Sequence, residues 1–280
     1  PLVITPGDPA GIGPDIVISL SESNFDFPLV VIADPDLLED RAKKLSKTIS
    51  ISNYDPASSQ NHQAGKLTVL AKSCLEPVLT GKPSPKNASY VLECLDHAIK
   101  GCLSSEYAGM VTGPVNKAVI NQAGYSFTGH TEYIAKQCND AFPVMMLMNN
   151  SMRVALVTTH LPLRRVPESI TPDLVETVIR TIHQDMVNKF RINSPKIMVC
   201  GLNPHAGEQG YLGHEEQEVI EPVLSRLKQH GMMITGPVSA DTAFTSASLK
   251  NTDVVVCMFH DQGLPVLKSS GFGNIVNITL

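Results

Sequence analysis

The sequence predicts an α/β protein, with two α/β/α domains whose mostly parallel strands carry helices on both faces. Three observations predict it. Short continuous apolar runs such as "DVVVCMF" at 253–259 lack the alternation of a half-solvated sheet, so they read as strands buried on both sides. Amphipathic helical patterns separate those runs along the whole chain. The length, 280 residues, suits two domains at about 150 residues each.

The elements follow in order. Leu2–Thr5 is a short apolar strand, followed by a glycine-rich turn and a helix starting near Pro14, since proline suits the first helical position. Pro28–Ala33 is a second strand. "PDLLEDRAKKLS" (35–46) has helical periodicity, with leucines at 37 and 38 and its charges on the other face. Tyr90–Leu103 reads as a helix and "AGMVTG" (108–113) as a small buried strand. In the second half, "VMMLMN" (144–149) and "RVALVTT" (153–159) read as strands and Asp173–Phe190 as a long helix. "KIMVCG" (196–201) is a strand, Glu215–Lys228 a helix, and the final "IVNITL" a strand. The polar, glycine-containing "TGHTE" (128–132) lies near the midpoint and is the expected crossing between the halves.

Composition excludes several classes. Hydrophobic residues make up 42% and the net charge is only −5, which excludes a chain that is mainly disordered. With 22 Lys+Arg against 27 Asp+Glu there is no basic footprint for nucleic acid. No apolar run reaches the ~18 residues of a membrane span. None of the six cysteines forms a CxxC pair, so buried free thiols in a reducing cytoplasm are expected.

The first turn, "TPGDPAGIGP" (5–14), lies where nucleotide-binding folds put a phosphate loop. Its glycines, Gly7, Gly11 and Gly13, are spaced GxxxGxG and no Lys-Ser/Thr follows, so it is neither a Rossmann nor a P-loop fingerprint. A structural turn and a turn lining a cleft both remain open. "TGPVNK" (112–117) and "FTGHTE" (127–132) each put a threonine-glycine turn before a helix, offering backbone N–H groups to an anion.

Of nine histidines, His62, His97, His183 and His230 lie in polar loops or on helix faces, where solvation is the default. His160, His205 and His260 each follow an apolar strand, at the edge where open α/β sheets bind ligands. Three imidazoles there make a candidate divalent-metal set. Their spacing matches no local zinc motif, so three unrelated loop histidines are the alternative. His205 sits in the glycine-rich loop "GLNPHAGEQGYLG", which is costly to order without a function. Asp241 and Asp261 are carboxylates placed to orient ligands or move protons. Lys268 is a candidate for an anionic group, whereas Arg164 and Arg165 read as solvated.

Together, "ITPGDPAGIGPD", "TGPVNK", "FTGHTE", "TTHLPLR", "GLNPHAGE", "ADT" and "HDQGLPVLK…GFG…VNITL" resemble the 4-hydroxythreonine-4-phosphate dehydrogenase family of vitamin B6 (pyridoxal phosphate) biosynthesis, in order from residue 2 to residue 280. The resemblance implies an isocitrate/isopropylmalate dehydrogenase-like fold with an active-site cleft between domains. Residues 1–130 plus 262–280 would form the first domain, and 131–261 the second, with the metal-binding histidines. It implies metal ligands at His160, His205 and His260, the third coming from the partner subunit of a homodimer. It also implies substrate contacts at His130, Thr131, Lys268 and Asn277, and catalytic aspartates at Asp241 and Asp261. The cofactors would be NAD or NADP and a divalent metal, zinc first, with magnesium or cobalt as alternatives. The implied reaction oxidises 4-phosphooxy-L-threonine and decarboxylates the product to 3-amino-2-oxopropyl phosphate. The family's chain runs on beyond "NITL", so Pro1 and Leu280 are expected to bound a segment. The rival readings are a related dehydrogenase of 4-phospho-threonate or 4-phospho-erythronate, a metal-dependent hydrolase, and a non-catalytic binding protein.

Overall fold

The apolar runs of the first half pair as five parallel strands: β1 (Leu2–Thr5), β2 (Leu29–Ala33), β3 (Ser50–Asn53), β4 (Lys66–Ala71) and β5 (Gly109–Thr112). Their order in the sheet is β3-β4-β2-β1-β5. The helices of this half are α1 (Gly13–Leu20), α2 (Pro35–Lys44), α3 (Ala88–Leu103), α4 (Lys117–Gln122) and α5 (His130–Gln137). Successive strand residues point to opposite faces, so β2 feeds two cores. Val30 and Ile32 pack with Val91, Leu95 and Ala98 of α3, while Val31 and Ala33 pack with Val17 of α1 and Leu38 of α2. That is an α/β/α sandwich. The computed structural model describes every residue except Ser59, Asp140 and Phe272.

Helix α2 starts where its sequence says it should. Asp34 caps it by accepting from the N–H groups of Asp36 and Leu37, Pro35 opens it, and Arg41, Lys43 and Lys44 sit at its negative end. One charge departs from the expected solvated face. Arg41 is 2% exposed, donating from Nη1 to the Gly11 carbonyl (2.9 Å) and Asp15 Oδ2 (2.6 Å) and from Nη2 to the Pro9 carbonyl (3.0 Å). It braces the glycine-rich turn from below. His62, expected to be solvated, is also buried, with its ring 5.6 Å from that of Phe25.

The second half builds a six-stranded sheet from β6 (Met145–Met148), β7 (Arg153–Leu156), β8 (Ile197–Cys200), β9 (Ile234–Val238), β10 (Val254–Cys257) and β11 (Val276–Thr279). The order is β11-β6-β7-β10-β8-β9, with β6 antiparallel to both its neighbours and the remaining pairs parallel. Its helices are α6 (Val166–Ser169), α7 (Pro172–Asn188), α8 (Glu221–Gln229), α9 (Ala240–Ala243), α10 (Ser246–Leu249) and α11 (His260–Ser269). Val254 and Val256 of β10 face α7 and α8, whereas Val255 and Cys257 face Leu264 and Leu267 of α11. Helix α7 buries Val175, Val178, Ile179, Ile182 and Met186, an i, i+3, i+4, i+7 stripe worth ~1.5–3 kcal/mol per buried side chain.

The division between units falls later than "TGHTE": Pro1–Ala141 form one and Phe142–Leu280 the other. Residues 128–132 instead lead into α5, which belongs to the first unit. Residues 262–280, expected with the first domain, pack in the second. The reason is burial and pairing. Gly263, Leu264 and Leu267 of α11 are buried, and β11 pairs with β6 from Val276↔Met148 to Thr279↔Met145. Among the described residues no helix is long and apolar enough to cross a membrane, and all six cysteines are free.

Candidate active site

Three neighbouring parallel strands, β7, β10 and β8, end at the same edge of the second sheet. Their continuations carry His160, His260 and His205. Two side chains that sequence reasoning missed tie these ends together. Gln262 Oε1 accepts from the Met258 N–H (2.7 Å), and its Nε2 donates to the Gly201 carbonyl (2.6 Å). Thr158 Oγ1 donates to the Met258 carbonyl (2.7 Å). The loop after β10 is thus fixed to those after β7 and β8.

The structure brings His160 and His260 together, with ring centroids 5.9 Å apart and planes 42° apart. Two imidazole nitrogens each ~2 Å from one tetrahedral ion put the ring centroids roughly 5–6 Å apart, so the pair fits two ligands of a single ion. His260 Nδ1 lies 2.6 Å from Asp261 Oδ1. A carboxylate there holds the proton on Nδ1 and leaves the Nε2 lone pair for a metal. Asp261 is thereby placed as an orienting group, and its side chain is 79% exposed.

His205 does not complete a trio within this chain. No three His, Cys, Asp or Glu side chains converge on one point among the described residues. His205 is exposed on a turn whose residues His205–Gln209 have φ of 55°, 53°, 78°, 44° and 57°. Asp241 is exposed on α9, which packs beside this turn. Lys268 is exposed near the end of α11, the helix that His260 begins. Asn277 lies on the edge strand β11, three strand spacings, ~14 Å, from β10. Arg164 and Arg165 are exposed, as expected.

In the first unit, His130 and Thr131 open α5 behind Gly129. His130 stands edge-on to Phe127 at 6.0 Å, and its buried Nε2 has no partner among the described residues. Burial, with a smaller contribution from the Lys117 charge, pushes its pKa below the usual imidazole value. The start of α5 thus carries a neutral imidazole whose buried Nε2 is unpaired among the described residues.

The buried carboxylate of Glu216 was also missed. Its Oε1 accepts from the N–H groups of Leu202 and Asn203, both at 2.7 Å, at the start of the His205 loop. A signal for it exists in the sequence: Glu216 falls four and seven residues before Ile220 and Val223, in register with the apolar stripe of the helix that follows.

The family model described as pyridoxal phosphate biosynthetic protein PdxA matches residues 25–280. The chain is 50% identical over 280 residues to the 4-hydroxythreonine-4-phosphate dehydrogenase of Thioalkalivibrio sulfidiphilus, covering 100% of this chain and 85% of that protein. It is 51% identical to that of Erwinia tasmaniensis, with the same coverage. The crystal structure of 4-hydroxythreonine-4-phosphate dehydrogenase from Klebsiella pneumoniae matches with a TM-score of 0.91 at 30% identity, covering 99% of this chain and 86% of that one.

Proposed function

Since the chain belongs to the PdxA family of pyridoxal phosphate biosynthetic proteins, and its relatives are named as dehydrogenases, we propose that it oxidises 4-phosphooxy-L-threonine with NAD or NADP and a divalent metal. The oxidised acid then loses carbon dioxide to give 3-amino-2-oxopropyl phosphate. The observation that carries this reading is identity of 50% spread over all 280 residues. The paired imidazoles with Asp261 against one of them supply the chemistry at the strand ends.

His160 and His260, paired within one chain, would hold the metal, zinc first, with magnesium or cobalt as alternatives. It is His205, rather than the expected His260, that would come from a second copy of the chain to complete the set. Once bound, the metal would lower the pKa of the substrate hydroxyl and polarise the ketone, while the nicotinamide would accept hydride. The protein's own groups do the rest. Asp261 keeps the His260 proton on Nδ1. Asp241, exposed beside the His205 turn, is the freer carboxylate to take the hydroxyl proton. His130, Thr131, Lys268 and Asn277 would bind the anionic and polar groups of the substrate, His130 as a neutral donor or acceptor and Lys268 as a fixed charge.

The test is absorbance in the NADH band with 4-phosphooxy-L-threonine, with and without chelator, for the wild type and His205→Ala. The expected signal needs both NAD(P) and metal and is abolished in the variant, together with metal retention. Phosphate release without NAD(P) would replace the reading with a hydrolase. Faster turnover of 4-phospho-threonate would move the substrate to the related reaction.

A further inference from the structure

We infer that Glu216 is the positioning residue that fixes the turn bearing His205. The inference rests on the reading of His205 as a metal ligand. From His205 to Gly210, six successive residues have positive φ, and four of them are not glycine. In this region an L side chain crowds its own carbonyl oxygen, so such a run persists only where its surroundings over-determine it. Besides the bonds within the turn itself, backbone bonds tie its ends: Ala206 N–H to the Asn203 carbonyl, Tyr211 N–H to that of Glu208, and Leu212 N–H to that of Gly207.

A further constraint is one carboxylate. Glu216 is 1% exposed, and no cation pairs with it among the described residues. Its Oε1 accepts from the Leu202 and Asn203 N–H groups, and its Oε2 from Asn203 Nδ2 at 3.0 Å. A Cβ on Gly201 would come within 2.9 Å of Oε1, and one on Gly207 within 2.5 Å of Oε2. The carboxylate is therefore wedged between the stem of the loop and the middle of the left-handed run, and the two glycines make room for it. Glu216 opens a π-helical turn, Glu216–Ile220, whose wider coil carries the carboxylate. Such turns interrupt helices mostly where function requires it. An unpaired buried charge is costly unless its hydrogen bonds are all used, and here all three come from Leu202 and Asn203, the stem from which the turn springs.

Glu216→Gln keeps the size but sets an amide N–H₂ against Asn203 Nδ2, donor against donor. The experiment compares the full-length enzyme with this variant in two measurements: amide hydrogen exchange at 203–209 without metal, and Co²⁺ affinity by chelator competition. Expected are exchange in the turn faster by roughly tenfold or more and Co²⁺ affinity weaker by about 10–100-fold. A Leu227→Ala core variant, destabilised at least as much, should keep wild-type values in both. Wild-type exchange at 203–209 in the Glu216→Gln protein would overturn the inference. So would unchanged Co²⁺ affinity, if His205→Ala abolishes binding. Should His205→Ala itself bind Co²⁺ normally, the metal reading fails, and the exchange measurement still decides the role of Glu216.

Discussion

At the scale of single residues, His130 shows how burial turns into a dependence on pH. Its pKa in the folded chain lies below the ordinary imidazole value because burial penalises the cation and Lys117 repels it. The unfolded chain therefore takes up this proton first as pH falls. Its stabilising contribution is complete above the ordinary value of about 6.5 and is lost as pH falls through and below it. His130→Gln should consequently lose less stability on acidification than the wild type. Urea midpoints at about pH 5.5 and 7.5 measure this, and parallel losses in the two proteins would exclude it. His130 entered the sequence reading only through the family resemblance, the threonine-glycine turn by itself offering no more than backbone N–H groups. Its unpartnered Nε2 was not legible there at all, because burial of that atom is a product of packing.

At the scale of elements, the glycines of the first turn have a steric reason of their own. A Cβ on Gly13 would lie 1.6 Å from the Pro6 carbonyl oxygen, and one on Gly113 2.2 Å from the same atom. Gly7 has φ +81°, and its Cβ would lie 2.3 Å from the Pro114 carbonyl oxygen. The Asp8 N–H donates to Pro114, and the Gly113 N–H donates to Thr5. The turns after β1 and β5 are thus locked together, and Arg41 holds the outer side. Within this lock Asp8 is buried, which raises its carboxyl above the usual range against the opposing bond from the Ala10 N–H. Gly13→Ala is expected to cost ~1–3 kcal/mol, as inserted methyls do in closed packing, read as a lower urea midpoint. An unchanged midpoint would mean the turn can open. The GxxxGxG spacing excluded the familiar nucleotide loops but could not reveal this lock, because the partner glycine is a hundred residues away.

At the scale of the whole molecule, one chain supplies a histidine pair and a third histidine on an exposed turn, and the proposed metal set would need a second copy to complete it. If His205 and His260 act from different chains, mixing His205→Ala with His260→Ala should form hybrid dimers with one intact site in two. Statistical mixing would then restore about a quarter of wild-type activity. No recovery, with hybrid dimers demonstrated, would place all three ligands on one chain. The sequence by itself determined the α/β class, most strand positions, and the three strand ends that carry histidines, since continuous apolar runs and helical periodicity are local signals. The weakly apolar β3 and the short helices left no such signal, whereas β4 carried one in its alternating Leu67 and Val69 that sequence reasoning passed over. The tertiary structure alone decided that residues 262–280 join the second sheet and that Arg41 and His62 are buried. It also decided that Gln262 and Thr158 tie the strand ends together and that Glu216 is buried against the stem of the His205 loop. Each of these depends on partners distant in sequence, and a hydrogen bond or a buried face is a property of the pair, not of either residue.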